Sequence, residues 1–273
     1  MRHEKASRAE RAPENSLMQL YVGLTTLIGH VSRYADRFDL LEFRFDPSRP
    51  PTTKALRRLR ASAPEELLFS VLVPAALTAG GLEEPERLAP VLEAAELLRA
   101  RWIVLQTGAD VGPSPRARAR LTALAARCAG SNRRVAWEPR GPWEPEAAHA
   151  FARTAGITAV EDLSMVEAPS SGVVYTRLRV PGPGAQLRGS ALERLAERIA
   201  DAEECYVVVE GRASGHARSR IEQALGIAVA ALEEENEDEA EEELVEEDGA
   251  MFTGELDTEI DEDDSDEDDS DED

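Results

Sequence analysis

Of the 273 residues only four are histidine and two are cysteine, and that scarcity removes whole classes of chemistry. His3 lies in an N-terminal arm and His149 inside a helical pattern, leaving only His30 and His216 where a strand end could be reached. A metal-dependent nuclease or isomerase needs a cluster of His, Asp and Glu ligands, so no metal site and no cofactor are expected. Cys128 and Cys205 fall in a helical and a strand pattern and read as small buried hydrophobes, not as a disulfide or zinc pair. No segment approaches ~18 consecutive apolar residues, and the opening MRHEKASRAERAPENS is charged and lacks an apolar signal core. A cytoplasmic protein without membrane contact is therefore expected. No Gly-x-Gly-x-x-Gly follows the first strand pattern, no Walker spelling occurs, and no Ser-His-Asp or Cys-His nucleophile arrangement is spelled locally. Lysine is nearly missing, with Lys5 and Lys54 set in a chain rich in Arg, Ala, Pro and Glu. That balance reads as a high-GC bacterial coding bias.

Charge divides the chain in two. Residues 233–273 hold 26 acidic side chains and no basic one, so the first 232 residues carry 31 cations against 28 anions, a net of +3 beside the chain total of -23. A segment of Glu, Asp and Ser cannot bury enough apolar surface to offset its ordering entropy and is expected to be disordered. The expected organisation is a flexible arm over 1–16, a globular domain over 17–232 and a polyacidic tail over 233–273. The tail run DEDDSDEDDSDED has no glycine where a calcium-binding EF-hand loop requires one. Its readings are a solvated tail that favours solubility, a nucleic-acid mimic, or a lid on a basic surface, and Met251 and Phe252 within it are spelled like a short motif for a protein partner.

Within the globular part, short β-rich runs alternate with helical patterns: LYVG (20–23), LLEF (40–43), LFSVLV (68–73), WIVLQ (102–106), RVAWE (134–138), TAVED (158–162), VVYTRL (173–178) and CYVVVE (205–210). Several are apolar at consecutive positions, as strands covered on both faces must be, which favours a parallel sheet. Ser114-Pro115 spells a helix cap with a first-turn proline ahead of Leu121, Leu124, Ala125 and Cys128, and Ser190-Ala-Leu-Glu193 spells a capping box ahead of Leu192, Leu195, Ala196 and Ile199. Val31, Tyr34, Ala35 and Phe38 form a third apolar stripe, and Ile221, Leu225, Val229 and Leu232 a last one. LSMVEAPSSG, between strands six and seven, is too short and too rich in turn residues for a helix. Eight strands alternating with helices predict a compact (β/α)8 TIM-type barrel, with an open doubly wound sheet as the alternative.

In such a barrel the site lies at the C-terminal ends of the strands. Glu42 and Arg44, Glu138 and Arg140, and Glu210 and Arg212 each stand two residues apart at such an end, so each pair should face one way. Gln106, Arg177 and Arg179 occupy equivalent ends, and Trp143 falls near the rim. Arginine forks at a mouth take phosphate or carboxylate bidentately, while Glu42 and Glu138 are the candidates for acid or base work. The same glutamates and arginines could equally neutralise one another in a closed network. Two carboxylates on different strands also admit a retaining glycosidase, which their separation decides.

The order RYADRFDLLEF, LLFSVLVPAALT, IVLQTG, VAWEPRGPW, YTRLR and CYVVVEGRASGHARSRIEQAL, from Tyr21 to Leu225, resembles the domain-of-unknown-function 72 (DUF72) family, the YecE-like proteins. Tyr34, Ala35, Phe38 and Glu42 match its first helix and second strand, Glu138, Arg140 and Trp143 its Glu-Phe-Arg-His-Pro-Ser-Trp run with one residue fewer, and Tyr175, Arg177 and Leu178 its Tyr-x-Arg-Leu-His. The departures are Leu72 for a lysine, Thr78-Ala79 for Thr-His, Arg179 for a histidine and Val209-Glu210-Gly211 for Phe-Asn-Asn. The resemblance implies a barrel of the type used by endonuclease IV and sugar isomerases, with the Glu and Arg frame kept and part of the family site lost. The expectation is a binding or regulatory module for an anionic small molecule. The alternatives are a hydrolase or phosphoesterase using the same frame, and a nucleic-acid-binding barrel restrained by its acidic tail, although nucleic acid is the less expected partner.

Overall fold

The computed structural model describes residues 18–166, 172–180, 187–210 and 216–226, and the arm (1–16), the tail (233–273) and Arg212 lie outside them. Eight strands, β1 (Gln19–Leu24), β2 (Leu40–Arg44), β3 (Leu68–Val73), β4 (Trp102–Gln106), β5 (Arg134–Glu138), β6 (Thr158–Glu161), β7 (Gly172–Arg179) and β8 (Ala202–Glu210), pair in parallel with their sequence neighbours. β8 returns to β1 and closes the barrel. The helices are α1 (Val31–Ala35), α2 (Thr53–Ser62), α3 (Ala75–Glu83), α4 (Ala89–Leu97), α5 (Pro115–Cys128), α6 (Pro145–Ala155), α7 (Gly189–Ile199) and α8 (Ala217–Ala224). Among the described residues β6 passes to β7 without a helix, as the turn-rich spelling predicts. None of these helices is long and apolar enough to cross a membrane.

Alternation along the strands builds two cores. Outward side chains such as Val22, Phe69, Val71, Ile103, Trp137 and Val207 join the helix stripes in one large cluster. Inward ones, Leu40, Leu72, Trp102, Val104, Ala136, Val160, Tyr175, Tyr206 and Val208, fill the lumen. A strand apolar at every position is what this double burial requires. The lumen floor is aromatic: Tyr21 stacks on Tyr206 at 4.8 Å, and Trp102 meets Tyr175 and Tyr206 edge-on at 5.4 and 5.2 Å. Beneath it Arg134 grips Glu204 through two hydrogen bonds of 2.6 and 3.1 Å. That pair seals the strand N-terminal end.

The helix signals resolve unevenly. Ser114 caps α5 by accepting from the Ala117 amide at 3.2 Å, with Pro115 in the first turn. The capping box expected at Ser190 does not form: α7 begins at Gly189 with Arg188 as its cap residue, two residues ahead of the start that a Ser190 cap would give. The Arg188 carbonyl already accepts from Ala191 and Leu192, which leaves Ser190 inside the first turn, where its hydroxyl has no cap to make. α8 ends at Ala224 with Gly226 beyond it at φ 68°, so its stripe is confirmed at Ile221 while Val229 and Leu232 lie outside the described residues. Cys128 and Cys205 are buried free thiols, as expected, and burial pushes them up to about 11 and about 12.

Gly23 is where the barrel closes most tightly. A Cβ there would sit 1.8 Å from the Leu40 carbonyl oxygen, a backbone atom that cannot move without opening the β1–β2 ladder. Gly23→Ala is expected to lower stability by at least about 1–3 kcal/mol, whereas Gly189→Ala, which meets nothing within 4 Å, should be neutral or stabilising. Urea unfolding of the two variants checks this, and equal midpoints would contradict it.

Candidate anion site at the barrel mouth

Inward positions at the strand C-terminal ends are charged, and β2, β5, β7 and β8 bring them to one place. Arg177, on β7, is fully buried with Glu42 of β2 and Glu138 of β5. Its Nη1 and Nη2 donate to Glu42 Oε1 and Oε2 at 2.6 and 2.8 Å, and its Nε donates to Glu138 Oε2 at 3.1 Å. One guanidinium thus spans the lumen between two carboxylates. Glu42 Oε2 also accepts from the Tyr175 hydroxyl at 2.7 Å, so that hydroxyl accepts in turn from Ser70 Oγ at 2.9 Å. Glu138 Oε2 accepts from Gln106 Nε2 at 3.0 Å, and its Oε1 from Arg140 Nε and Nη2, both at 3.3 Å, and from Arg179 Nη2.

Above this buried tier lies an open one. Arg179 also approaches Glu210 at 3.5 Å, and Arg44 pairs with the other oxygen of Glu210. The side chains of Arg44, Arg140 and Arg179 are 49, 42 and 48% exposed, against 1% for Arg177. Four arginines face three glutamates, and Asp162, just past β6, accepts from the Arg179 amide at 3.2 Å, so the mouth is close to neutral and its free N–H donors are those of the half-exposed rim.

Electrostatics follow from this geometry. Burial alone would raise the Glu138 carboxyl, but Arg177, the Gln106 hydrogen bond, Arg140 and Arg179 together hold it below the usual carboxylate range. Burial opposes the charge on Arg177 as well, yet Glu42 and Glu138 more than compensate and raise it above the usual guanidinium value. Burial and then Glu42 push the Tyr175 hydroxyl far up, keeping it a neutral donor.

The structure thus gathers Glu42, Arg44, Gln106, Glu138, Arg140, Arg177, Arg179 and Glu210 at one mouth. Glu42 and Arg44 find their partners on other strands, Glu42 with Arg177 and Arg44 with Glu210, while Glu138 and Arg140 meet each other. Trp143 is not brought to the mouth: it packs on Trp137 at 4.8 Å and on Phe151, and its Nε1 donates to the Val111 carbonyl at 2.7 Å. The apolar α6 stripe draws it into the outer core. Ser70 went unremarked, although a single hydroxyl at an inward position of LFSVLV was a signal for it. His30 caps α1 through Ser32 and His216 precedes α8, while His149 Nε2 lies 3.1 Å from Glu161 Oε2 without hydrogen-bond alignment. Among the described residues no three His, Cys, Asp or Glu side chains are placed to share a metal ion.

Two outcomes follow. Arg177→Met leaves two buried carboxylates without their cation and should lose about 3–5 kcal/mol at pH 7 by urea unfolding; a loss under about 1 kcal/mol would contradict the network. Because the Glu138 carboxyl is depressed in the fold, its contribution is present above the unfolded value near 4.5 and lost as pH falls through the folded value. Glu138→Gln should therefore be less stable at pH 7 but show a flatter decline from about pH 5 to 3, and an unchanged acid slope would refute the assignment.

No protein-family model and no curated protein matches the sequence. Solved structures do. A DUF72 family protein of Enterococcus faecalis superposes with a TM-score of 0.61 at 16% identity, over 78% of this chain and all of that one (100%). A DUF72 family protein of Thermotoga maritima gives 0.53 at 18% identity, over 77% and 97%. The closed eight-stranded barrel described above is accordingly the fold of these DUF72 proteins.

Proposed function

We propose that this chain is a divergent DUF72-type barrel whose mouth binds an anionic small molecule bearing a phosphate or carboxylate. The observation that carries the reading is the split of the arginines: one consumed by buried carboxylates, three half-exposed at the rim with donors to spare. Guanidinium forks of this kind match planar or tetrahedral oxyanions bidentately. The buried glutamates hold Arg177 and, through Glu138 Oε1, aim Arg140 and Arg179.

Hydrolysis with Glu42 or Glu138 as general base is the weaker reading. Glu138 already accepts from five donors, against about four lone-pair sites on a carboxylate, so it cannot take a substrate proton without giving up a bond; Glu42 accepts from three and is fully buried beneath Arg177, where no substrate reaches it. The arrangement suits binding and orientation better than proton transfer.

Thermal unfolding of the full chain with inorganic phosphate and with small di- and tricarboxylates tests the reading. A ligand at 100 times its dissociation constant should add about 2.7 kcal/mol. Arg140→Ala and Arg179→Ala should each abolish the shift while leaving the unliganded midpoint near wild type. A shift that survives both substitutions, or none with any oxyanion, would overturn it.

A further inference from the structure

A second cationic site lies at the opposite end of the barrel. The C-terminal halves of α2 and α4 frame a groove of ≈ 420 Å³ lined by Arg57, Arg60, Arg99 and Leu97, with Glu65 as its one carboxylate. Arg60 is fixed: its Nη1 donates to the Leu67 carbonyl at 2.9 Å, its Nη2 to the Ala63 carbonyl at 3.3 Å and to that of Pro64, and its guanidinium stands 5.1 Å from the Phe69 ring centre. Burial first, and the neighbouring Arg99 second, push Arg60 below the usual guanidinium range, against the opposing pull of Glu65 and Glu66. Arg57 and Arg99 are exposed and, among the described residues, make no ion pair.

Arg99 is also the one described non-glycine residue with positive φ, at 52°. It occupies the left-handed position after α4, where the Ala100 amide reaches back to the Ala95 carbonyl at 2.8 Å. Glycine is the ordinary choice there. A side chain at that position is strained, and here it adds a third guanidinium to the groove.

The anion that fits is part of the same chain. In a parallel barrel the helices run back against the strands, so α2, α4 and α8 all end on the face opposite the mouth. The described chain leaves α8 at Gly226, and α1 separates α8 from α2 around the barrel. Two helix spacings of about 8–10 Å put the groove roughly 20 Å away. Residues 227–232 are apolar and uncharged, and six extended residues cover at most about 20–22 Å; the 26 acidic residues begin at Glu233. The uncharged spacer thus matches the distance from the helix end to the arginines.

We propose that the acidic segment beginning at Glu233 docks in cis on the Arg57–Arg60–Arg99 groove, at the end of the barrel remote from the anion-binding mouth. The groove offers three guanidiniums against Glu65 in its lining and Glu66 beside it, whereas the mouth arginines already share three glutamates and Asp162.

Paramagnetic broadening tests this on the full chain. A nitroxide on Asn236→Cys reports the start of the acidic segment, and the native thiols, buried and pushed up to about 11 and about 12, do not compete for the label. At about 50 mM salt the label should broaden amides of residues 57–66 and 97–101. The broadening should fade at about 1 M salt, where the Debye length is about 3 Å. It should also fade in Arg57→Gln/Arg99→Gly, whose glycine relieves the positive φ, so that loss of contact cannot be assigned to unfolding. Broadening centred on Arg44, Arg140 and Arg179, broadening that survives the double substitution, or none at low salt would overturn the proposal. Broadening of ¹⁵N-labelled chains by a separate spin-labelled copy would overturn docking in cis.

Discussion

A guanidinium sealed in the lumen of a β-barrel is the constraint around which the mouth is organised. Unpaired, the buried charge of Arg177 would be prohibitive, and the protein answers it with two carboxylates from opposite sides of the barrel. Once Glu42 and Glu138 are there, each of their remaining lone pairs needs a donor. Tyr175, its hydroxyl held by Ser70, donates to Glu42, and Gln106 and two rim arginines donate to Glu138. The open arginines are therefore positioned by a requirement that begins beneath them. Three strands are clamped across the lumen by the same bonds.

The barrel is graded along its axis as a result. At the strand N-termini an ion pair and an aromatic floor close the lumen. Small and branched residues such as Val104, Ala136, Val160 and Val208 fill the middle. The buried carboxylates come next, and only above them do cations meet solvent. Such an order separates the part that fixes shape from the part that can exchange partners: losing a rim contact exposes a guanidinium to water, while losing a buried contact strands a charge. The domain can thus change its ligand without changing its frame.

Much of this was legible from residue order. Consecutive apolar positions in WIVLQ and CYVVVE required cover on both faces, and polar residues at alternate positions past the apolar run marked the mouth. Which partners the charges choose was not legible, because strand stagger decides it: β7 aligns Arg179 with Glu210 and carries Arg177 toward β2 and β5, relations that no local spacing encodes. Trp143 was misplaced for a similar reason, since its closeness in sequence to Arg140 says nothing of the pull of Trp137 and Phe151 behind it. The capping-box spelling at Ser190 was defeated by a two-residue advance of the helix start, within the range over which helix ends commonly vary. The groove at the far end was invisible because its arginines come from different helices.

The division of the mouth into a buried clamp and an open binding tier is tested most directly by ¹H–¹⁵N spectra of the arginine Nε groups, recorded while inorganic phosphate is added to the full chain. Arg177 should give a sharp, slowly exchanging Nε–H signal that does not move with phosphate, while the signals of Arg140 and Arg179 shift and saturate together. A phosphate-dependent Arg177 signal, or one exchanging as fast as those of the rim, would contradict the account.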